Sequence, residues 1–276
     1  MKLSILACQI SIPPMTVIDQ KLDHVTRVVD LIDAKLANTS VDLIVLPELS
    51  NIDYSRATFD QLNSLAEDFD GPTCKAFSAL AKRQNAHIVF GMACKRNGAF
   101  FITQVVFDGD GNLVGHYDKL HIAQFGASME KEYFEPGKQI LVFNVKGIRV
   151  SPIICYDIRI PELFRTLCID HQVQLVLHCG AYYRDESFYS WRPFAITRAM
   201  ENLTYLLSLN RAGEFYGGSL FCLPWVDEDQ PEIIFPMVET LKVLELDSKV
   251  IQDRRDKYTF LKDRLDDYLS LQVVIK

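Results

Sequence analysis

The sequence predicts one α/β domain, an arrangement that can include two packed sheets. Short apolar runs alternate with amphipathic helical patterns from one end of the 276 residues to the other. No internal repeat, low-complexity segment or Pro/Gly/Ser-rich linker divides the chain. The strand segments are apolar on both faces, which is typical of sheets covered on both sides. Hydrophobic residues make up 49% of the composition, enough for a large core.

The first half of the chain begins with a predicted strand and a predicted helix. The apolar run over 3–10 predicts the strand, and apolar residues at helical spacing over 21–36 predict the helix. Gly71-Pro72-Thr73 marks the start of the next helix. The further elements predicted here are a helix over 74–84 and strands over 43–46, 88–92, 104–107 and 113–117, with a turn at 108–112.

The second half repeats this rhythm without repeating the sequence. Its predicted strands cover 150–154, 175–177, 205–209, 220–223 and 243–246, and its predicted helices cover 161–169 and 191–202. The tail from residue 249 is charged and partly helical in pattern.

Composition excludes several classes of protein. The net charge of −7 argues against a nucleic-acid partner, which favours a basic surface. No apolar run approaches the ~20 residues of a membrane span, and the N-terminal MKLSILACQI is interpreted as a first strand rather than a secretion signal. The seven cysteines form no CxxC pair, which argues against a zinc site or a disulfide framework and favours reduced thiols in the cytoplasm.

Cys155 is the candidate nucleophile. An apolar strand ends at this residue, and Pro161 suits the first turn of a following helix. A strand-to-helix turn exposes a side chain and directs backbone N–H groups towards the atom that it attacks. A nearby helix N-terminus would also favour the thiolate. The alternative is a buried structural cysteine.

Two charged residues are candidates for activating this thiol. Glu48 follows a proline at the end of an apolar strand, the edge at which ligands of parallel sheets gather. Lys119 follows a predicted hairpin. A partly buried carboxylate with a raised pKa can accept a thiol proton, and an ammonium group can stabilise an oxyanion. A solvated loop side chain is the alternative for each, and His121 or His178 could instead serve as the base of a thiol enzyme.

Three segments together resemble the nitrilase superfamily, the carbon–nitrogen hydrolases. The order of the segments, their wide separation and their local contexts all match. The segments are Leu46-Pro47-Glu48-Leu49, Tyr117-Asp118-Lys119-Leu120-His121 and Cys155-Tyr156-Asp157-Ile158-Arg159-Ile160-Pro161-Glu162.

The resemblance covers residues 1–276 and implies a four-layer αββα sandwich. It implies a catalytic triad of Glu48, Lys119 and Cys155, with Glu130 as a second glutamate six residues before Pro136. It also implies a homodimer or higher homo-oligomer, with the tail over about 248–276 in dimer contacts. The chain departs from the family pattern at Asp53 and over 179–183, where the substrate pocket is expected.

The expected reaction is hydrolysis of a small amide through a cysteine thioester, which requires no metal or organic cofactor. Tyr54, Tyr156 and Tyr182 are the expected pocket walls, with packing as the alternative for Tyr54 and Tyr182. N-carbamoyl hydrolysis ranks second and nitrile hydrolysis third among the reactions that the resemblance allows. A non-catalytic binding or scaffold protein on the same fold is the alternative of another class.

Overall fold

Twelve strands form two six-stranded sheets in the computed structural model, which describes residues 1–265 and 267–276. In chain order the strands are β1 (Lys2–Gln9), β2 (Leu43–Val45), β3 (His87–Arg96), β4 (Ala99–Phe107), β5 (Leu113–Asp118), β6 (Phe143–Val145), β7 (Ile148–Ile154), β8 (Leu175–Cys179), β9 (Tyr205–Leu209), β10 (Leu220–Cys222), β11 (Ile233–Ile234) and β12 (Thr240–Asp247). The strand orders are β12-β1-β2-β3-β4-β5 in the first sheet and β11-β10-β9-β8-β7-β6 in the second.

The helices are α1 (Ile18–Leu36), α2 (Arg56–Phe59), α3 (Leu62–Leu65), α4 (Pro72–Gln84), α5 (Pro161–Arg165), α6 (Phe188–Asn202) and α7 (Ser248–Lys257). Of these, α1 and α4 cover the outer face of the first sheet, and α5 and α6 cover that of the second. Proline occupies the first turn of both α4 and α5, where its missing N–H needs no partner. Asn85 ends α4 in the left-handed conformation that commonly closes a helix.

Strand β1 shows how alternating side chains build the layers. Leu3, Ile5 and Ala7 share one core with residues of the second sheet, including Leu177 and Leu207. Leu6 and Cys8, which alternate with these residues along the strand, belong to a separate core with α1 and α4. A third core packs α5 and α6 on the outside of the second sheet and continues to α2 and α3. The predicted four-layer αββα sandwich is therefore confirmed.

The element boundaries depart from the predictions where sequence patterns are weak. Strands β3 and β4 extend beyond the predicted 88–92 and 104–107, because nine backbone pairs join them into a long hairpin. The short elements β6, β11, α2 and α3 are too brief to show a period. The helix predicted over 161–169 ends at Arg165 and continues as a π-helical turn, Thr166–Asp170.

The tail contains α7 and a short 3₁₀ turn, Thr259–Leu261. Residue 266, within the tail over about 248–276 that is expected in dimer contacts, lies outside the described residues. Over 1–265 and 267–276, none of the helices combines the length and the apolar character that crossing a bilayer requires.

Candidate active site

Glu48 follows Pro47 just beyond the carboxyl end of β2. Its side chain is fully buried, and its Oε2 accepts a hydrogen bond of 2.8 Å from the backbone N–H of Ala181. The neighbouring strand β3 contributes Gly91 at this point. A Cβ atom on Gly91 would overlap the backbone of Pro47 and Leu49, so the absence of a side chain lets the Glu48 loop pack directly on the sheet.

Lys119 follows β5 and joins two glutamates. Its Nζ donates to Glu48 Oε1 at 2.9 Å and to Glu130 Oε1 at 2.6 Å, and all three side chains are fully buried. Glu130 is oriented further by hydrogen bonds from the Tyr54 hydroxyl at 2.7 Å and from the Ala123 N–H at 2.8 Å. Two carboxylates therefore share one ammonium group away from solvent.

Burial and mutual charge shift the pKa values in this cluster. Burial raises the pKa of Glu48 to about 7; the charge of Lys119 opposes the increase, and that of Glu130 adds to it. For Lys119, burial alone would lower the pKa, but the charges of Glu130 and Glu48 outweigh burial and raise it well above its ordinary value. Lys119 is thus held as ammonium, while the Glu48 carboxyl can exchange a proton near neutral pH.

Cys155 lies at the end of β7, at the start of a 3₁₀ turn (Cys155–Arg159) that leads into α5. Its φ of 44° is in the left-handed region, which is uncommon for a side chain other than glycine or asparagine and is concentrated at functional sites.

The turn is fixed by the buried carboxylate of Asp157. This carboxylate accepts from the Tyr117 hydroxyl at 2.7 Å and from the backbone N–H groups of Ile154 at 2.9 Å and His121 at 3.0 Å. The clamp holds the Cys155 turn on the segment that carries Lys119.

The thiol of Cys155 is held in its neutral form. Of the seven cysteines, Cys155 is partly exposed and the other six are buried. Burial raises the pKa of the Cys155 thiol well above its ordinary value; Glu48 raises it further, and Lys119 opposes both. The thiolate that a nearby helix N-terminus was expected to favour is therefore not the resting form, because burial and the charge of Glu48 outweigh the charge of Lys119. Glu48 and Cys155 influence each other's pKa, so the Glu48 carboxyl is the candidate to exchange a proton with the thiol.

A cavity of about 310 Å³ opens onto Cys155. The three candidate pocket residues Tyr54, Tyr156 and Tyr182 line it, and so does Glu130. Further lining residues are Arg56, Phe125, Met129, Arg159, Ala181, Tyr183, Asp185 and Tyr216.

The two departures from the family pattern occupy different places. Asp53 does not line the cavity; its carboxylate lies 3.9 Å from the buried guanidinium of Arg211. Ala181, Tyr182 and Tyr183 do line it, whereas the side chain of Cys179 belongs to the core between the sheets. Of the departures expected to alter the substrate pocket, those at residues 181–183 therefore lie in it, and those at Asp53 and Cys179 do not.

Neither candidate histidine is placed as the base. His121 Nδ1 lies 2.7 Å from Asp157 Oδ1, and this hydrogen bond raises the pKa of His121. His178 is buried, and its Nε2 contacts the backbone carbonyl oxygen of Cys155 at 2.9 Å. Burial lowers the pKa of His178 to about 4. Both rings are thus engaged by groups other than the thiol.

The sequence reasoning missed three contributors to the site: the Asp157 clamp, the Ala181 N–H and the cavity-facing Arg159. An acidic residue two positions after Cys155, just beyond an apolar strand, was a signal for Asp157. The Ala181 N–H carries no side-chain signal, so only the fold could reveal it. Within the described residues, no group of three or more His, Cys, Asp or Glu side chains is arranged to hold a metal ion.

Comparison with known proteins agrees with the geometry. The Carbon-nitrogen hydrolase family profile matches residues 6–227. The 2-oxoglutaramate amidase of Bacillus subtilis (strain 168) is 32% identical over 193 residues, covering 67% of this chain and 71% of the relative. A nitrilase of Pyrococcus abyssi is 30% identical over 244 residues, covering 82% of this chain and 85% of the relative.

A solved structure supports the fold. A CN-hydrolase superfamily protein of Xanthomonas campestris, with an arsenic adduct in its active site, superposes with a TM-score of 0.80 at 23% identity. The alignment covers 98% of this chain and 100% of that one.

The fold and the buried cluster beside a cysteine define an enzyme of the hydrolase class. The chain belongs to the carbon–nitrogen hydrolase family, the nitrilase superfamily, as its motifs predicted.

Proposed function

We propose that this enzyme hydrolyses a small amide, with Cys155 as nucleophile, Glu48 as general base and Lys119 as the electrostatic group. The observation that carries the proposal is the fully buried Glu48–Lys119–Glu130 cluster, at 2.9 and 2.6 Å, next to the cavity-facing Cys155. The amidases among the relatives favour an amide substrate.

The reaction follows from the pKa directions. Glu48 takes the Cys155 proton as the sulfur attacks the carbonyl carbon, because the thiol does not ionise by itself. The Lys119 ammonium and the backbone N–H of Tyr156 stabilise the oxyanion. Glu130 positions Lys119 through the 2.6 Å contact.

The oxyanion then collapses and the carbon–nitrogen bond breaks. The nitrogen leaves as ammonia or an amine with the proton that Glu48 received, and a thioester remains on Cys155. Glu48 next removes a proton from water, which attacks the thioester carbon. A carboxylic acid leaves and the thiol regains its proton.

We further propose that the substrate carries an anionic group opposite its amide. Arg159 lines the cavity, and its guanidinium lies over the rings of Phe125, Tyr156 and Phe194 at 5.8, 5.8 and 5.1 Å. Among the described residues it forms no ion pair, and its hydrogen bond to Ser190 Oγ is 3.3 Å long. A charged group without a counter-ion in a binding cavity favours a carboxylate ligand.

The first experiment uses Cys155→Ala and Cys155→Ser with succinamate and its neutral analogue butyramide. Both variants should lose ammonia release from both amides, and the wild-type enzyme should prefer succinamate. Arg159→Met should raise KM for succinamate and leave butyramide little changed. Ammonia release at the wild-type rate by Cys155→Ala would refute the nucleophile, and an equal KM change for both amides would refute the role of Arg159.

N-carbamoyl hydrolysis is the second candidate function, favoured by the segment from Glu130 to Gly137, which resembles that branch of the family. Carbon dioxide released together with ammonia from an N-carbamoyl compound, without turnover of succinamate, would favour it.

We also propose a homodimer of cytoplasmic location, with 1–276 as one catalytic domain and the tail over about 248–276 in the dimer contact. The tail exposes large apolar side chains, including Leu269 at 97% and Ile275 at 91%. Seven free cysteines favour a reducing compartment. Sedimentation of the full chain and of a chain ending at residue 264 tests the dimer contact. If both chains had the same oligomeric state, the role of the tail in the dimer contact would be refuted.

A further inference from the structure

A line of hydrogen bonds reaches the backbone of Cys155 from the side of the second sheet opposite the core between the sheets. His178 on β8 is paired with Ser208 on β9, and both side chains are fully buried. Ser208 Oγ lies 2.6 Å from His178 Nδ1, and His178 Nε2 lies 2.9 Å from the carbonyl oxygen of Cys155. Trp191 on α6 completes the line, with its Nε1 2.7 Å from Ser208 Oγ.

The donors in this line can be assigned from one end. A backbone carbonyl can only accept, so His178 Nε2 carries a proton and donates it to the Cys155 carbonyl. His178 is a neutral ring, because burial lowers its pKa to about 4, so its Nδ1 carries no proton and accepts from the Ser208 hydroxyl. The Ser208 oxygen in turn accepts from the Trp191 indole N–H, which can only donate. The contact with the Cys155 carbonyl thus determines the tautomer of His178, and Ser208 and Trp191 complete the line.

The same carbonyl has a second donor. The Tyr182 hydroxyl donates to it at 3.0 Å, and the Tyr182 ring stacks on Trp191 with centroids 4.7 Å apart and an angle of 5°. Two donors thus converge on the carbonyl of a residue whose φ of 44° is unfavourable for an ordinary side chain.

The direction of this carbonyl determines the direction of the proposed oxyanion donor. The Cys155 carbonyl and the Tyr156 N–H belong to one planar trans peptide, so they point in opposite directions. Fixing the carbonyl on the His178 side turns the N–H away from His178. The mechanism above uses this N–H to stabilise the oxyanion.

We propose that His178, in its Nε2–H tautomer and hydrogen-bonded to Ser208, is a positioning residue that orients the Cys155–Tyr156 peptide so that the Tyr156 N–H stabilises the oxyanion. The inference rests on the proposed thiol mechanism for its catalytic effect. It gives His178 a role different from the general base that the sequence left open.

The test compares three variants of β8 in the full-length enzyme. His178→Leu removes the donor, and His178→Gln retains an amide N–H for the carbonyl and an oxygen for Ser208. Leu177→Ala is the matched control, since its side chain faces the core between the sheets and makes no contact with the Cys155 carbonyl. Each variant is measured for kcat and KM with an amide that the wild type hydrolyses, for thermal unfolding, and for the rate of Cys155 alkylation by iodoacetamide.

His178→Leu should lower kcat by roughly tenfold or more, about the effect of one buried hydrogen bond, with KM within about twofold. His178→Gln should recover most of that loss. The alkylation rate should change by only a few-fold, because displacement of iodide forms no oxyanion. Leu177→Ala should lower the unfolding temperature without the selective loss in kcat.

The opposite results are equally clear. A kcat for His178→Leu within about twofold of wild type would overturn the inference, as would a parallel loss of alkylation and turnover, which would show collapse of the whole turn. If His178→Leu does not fold, Tyr182→Phe removes the second donor with little change in volume and should give the same selective loss in kcat. A wild-type enzyme without amide turnover would instead refute the proposed function, a result that these variants cannot produce.

Discussion

Replacing Lys119 by methionine tests whether the buried charge cluster contributes to stability as well as to chemistry. Lys119 is the cation between Glu48 and Glu130, and all three side chains are fully buried. Its removal leaves two carboxylates without a counter-ion in a poorly solvated site. Removing one partner of a buried ion pair typically destabilises a protein by about 3–5 kcal/mol. For a chain of this length, such a loss lowers the unfolding temperature by roughly 10 °C.

The loss should depend on pH with a defined sign. Burial already raises the pKa of Glu48 to about 7 in the folded protein, and the charge of Lys119 opposes that increase. In the variant the pKa rises further. A carboxyl group whose folded pKa is raised stabilises the protein when protonated, and this contribution is lost as pH rises through the folded pKa. Lys119→Met should therefore be close to wild type at about pH 5 and much less stable at about pH 8.

The assay is urea unfolding of both proteins at these two pH values, with Lys138→Met as a control because Lys138 is an exposed lysine near the site in sequence. The double variant Lys119→Met/Glu130→Gln should recover part of the lost stability, because only one buried carboxylate remains. The charge argument would be refuted if the free energy of unfolding of Lys119→Met were within about 1 kcal/mol of wild type at pH 8. It would also be refuted if Lys119→Met lost the same amount of stability at both pH values.

Two further predictions concern the same site. The amide-hydrolysis rate should rise with pH and level off above about 7, because only the ionised form of Glu48 can accept the thiol proton; a profile that is flat from about pH 5 to 8 would contradict this role. Gly91→Ala should destabilise the protein by about 1–3 kcal/mol and also lower kcat, because the new methyl group overlaps the backbone of Pro47 and Leu49 and displaces Glu48. Thermal unfolding and kcat measure the two effects. An unchanged unfolding temperature and an unchanged kcat would show that the Glu48 loop does not depend on close packing against Gly91.

The alternation of apolar runs with helical patterns was enough to predict the class of fold, because burial on both faces of a sheet requires covering layers. The three short motifs identified the family, and the structure brings their charged residues and Cys155 to one site. Local spacing was also informative about the turn at Cys155, since a strand followed by Pro161 leaves few alternatives.

The sequence could not predict which groups of distant segments lie around the Cys155 thiol or how they are oriented. The Ala181 N–H and the ring of His178 reach the site because β8 lies beside β7 in the second sheet, and strand order is a property of the whole fold. The same applies to how firmly the thiol holds its proton: the sequence identified Glu48 as a candidate base but could not show that the pKa of the thiol is raised. The pKa of Cys155 depends on burial and on the nearby Glu48, neither of which has a local signal.

By itself, then, the sequence determined the types of chemical group and the elements that carry them, because side-chain identity and apolar periodicity are local. The tertiary structure alone decided which backbone groups complete the site and which groups hold protons. Those properties depend on distances of a few ångströms between segments far apart in the chain and on their exclusion from water.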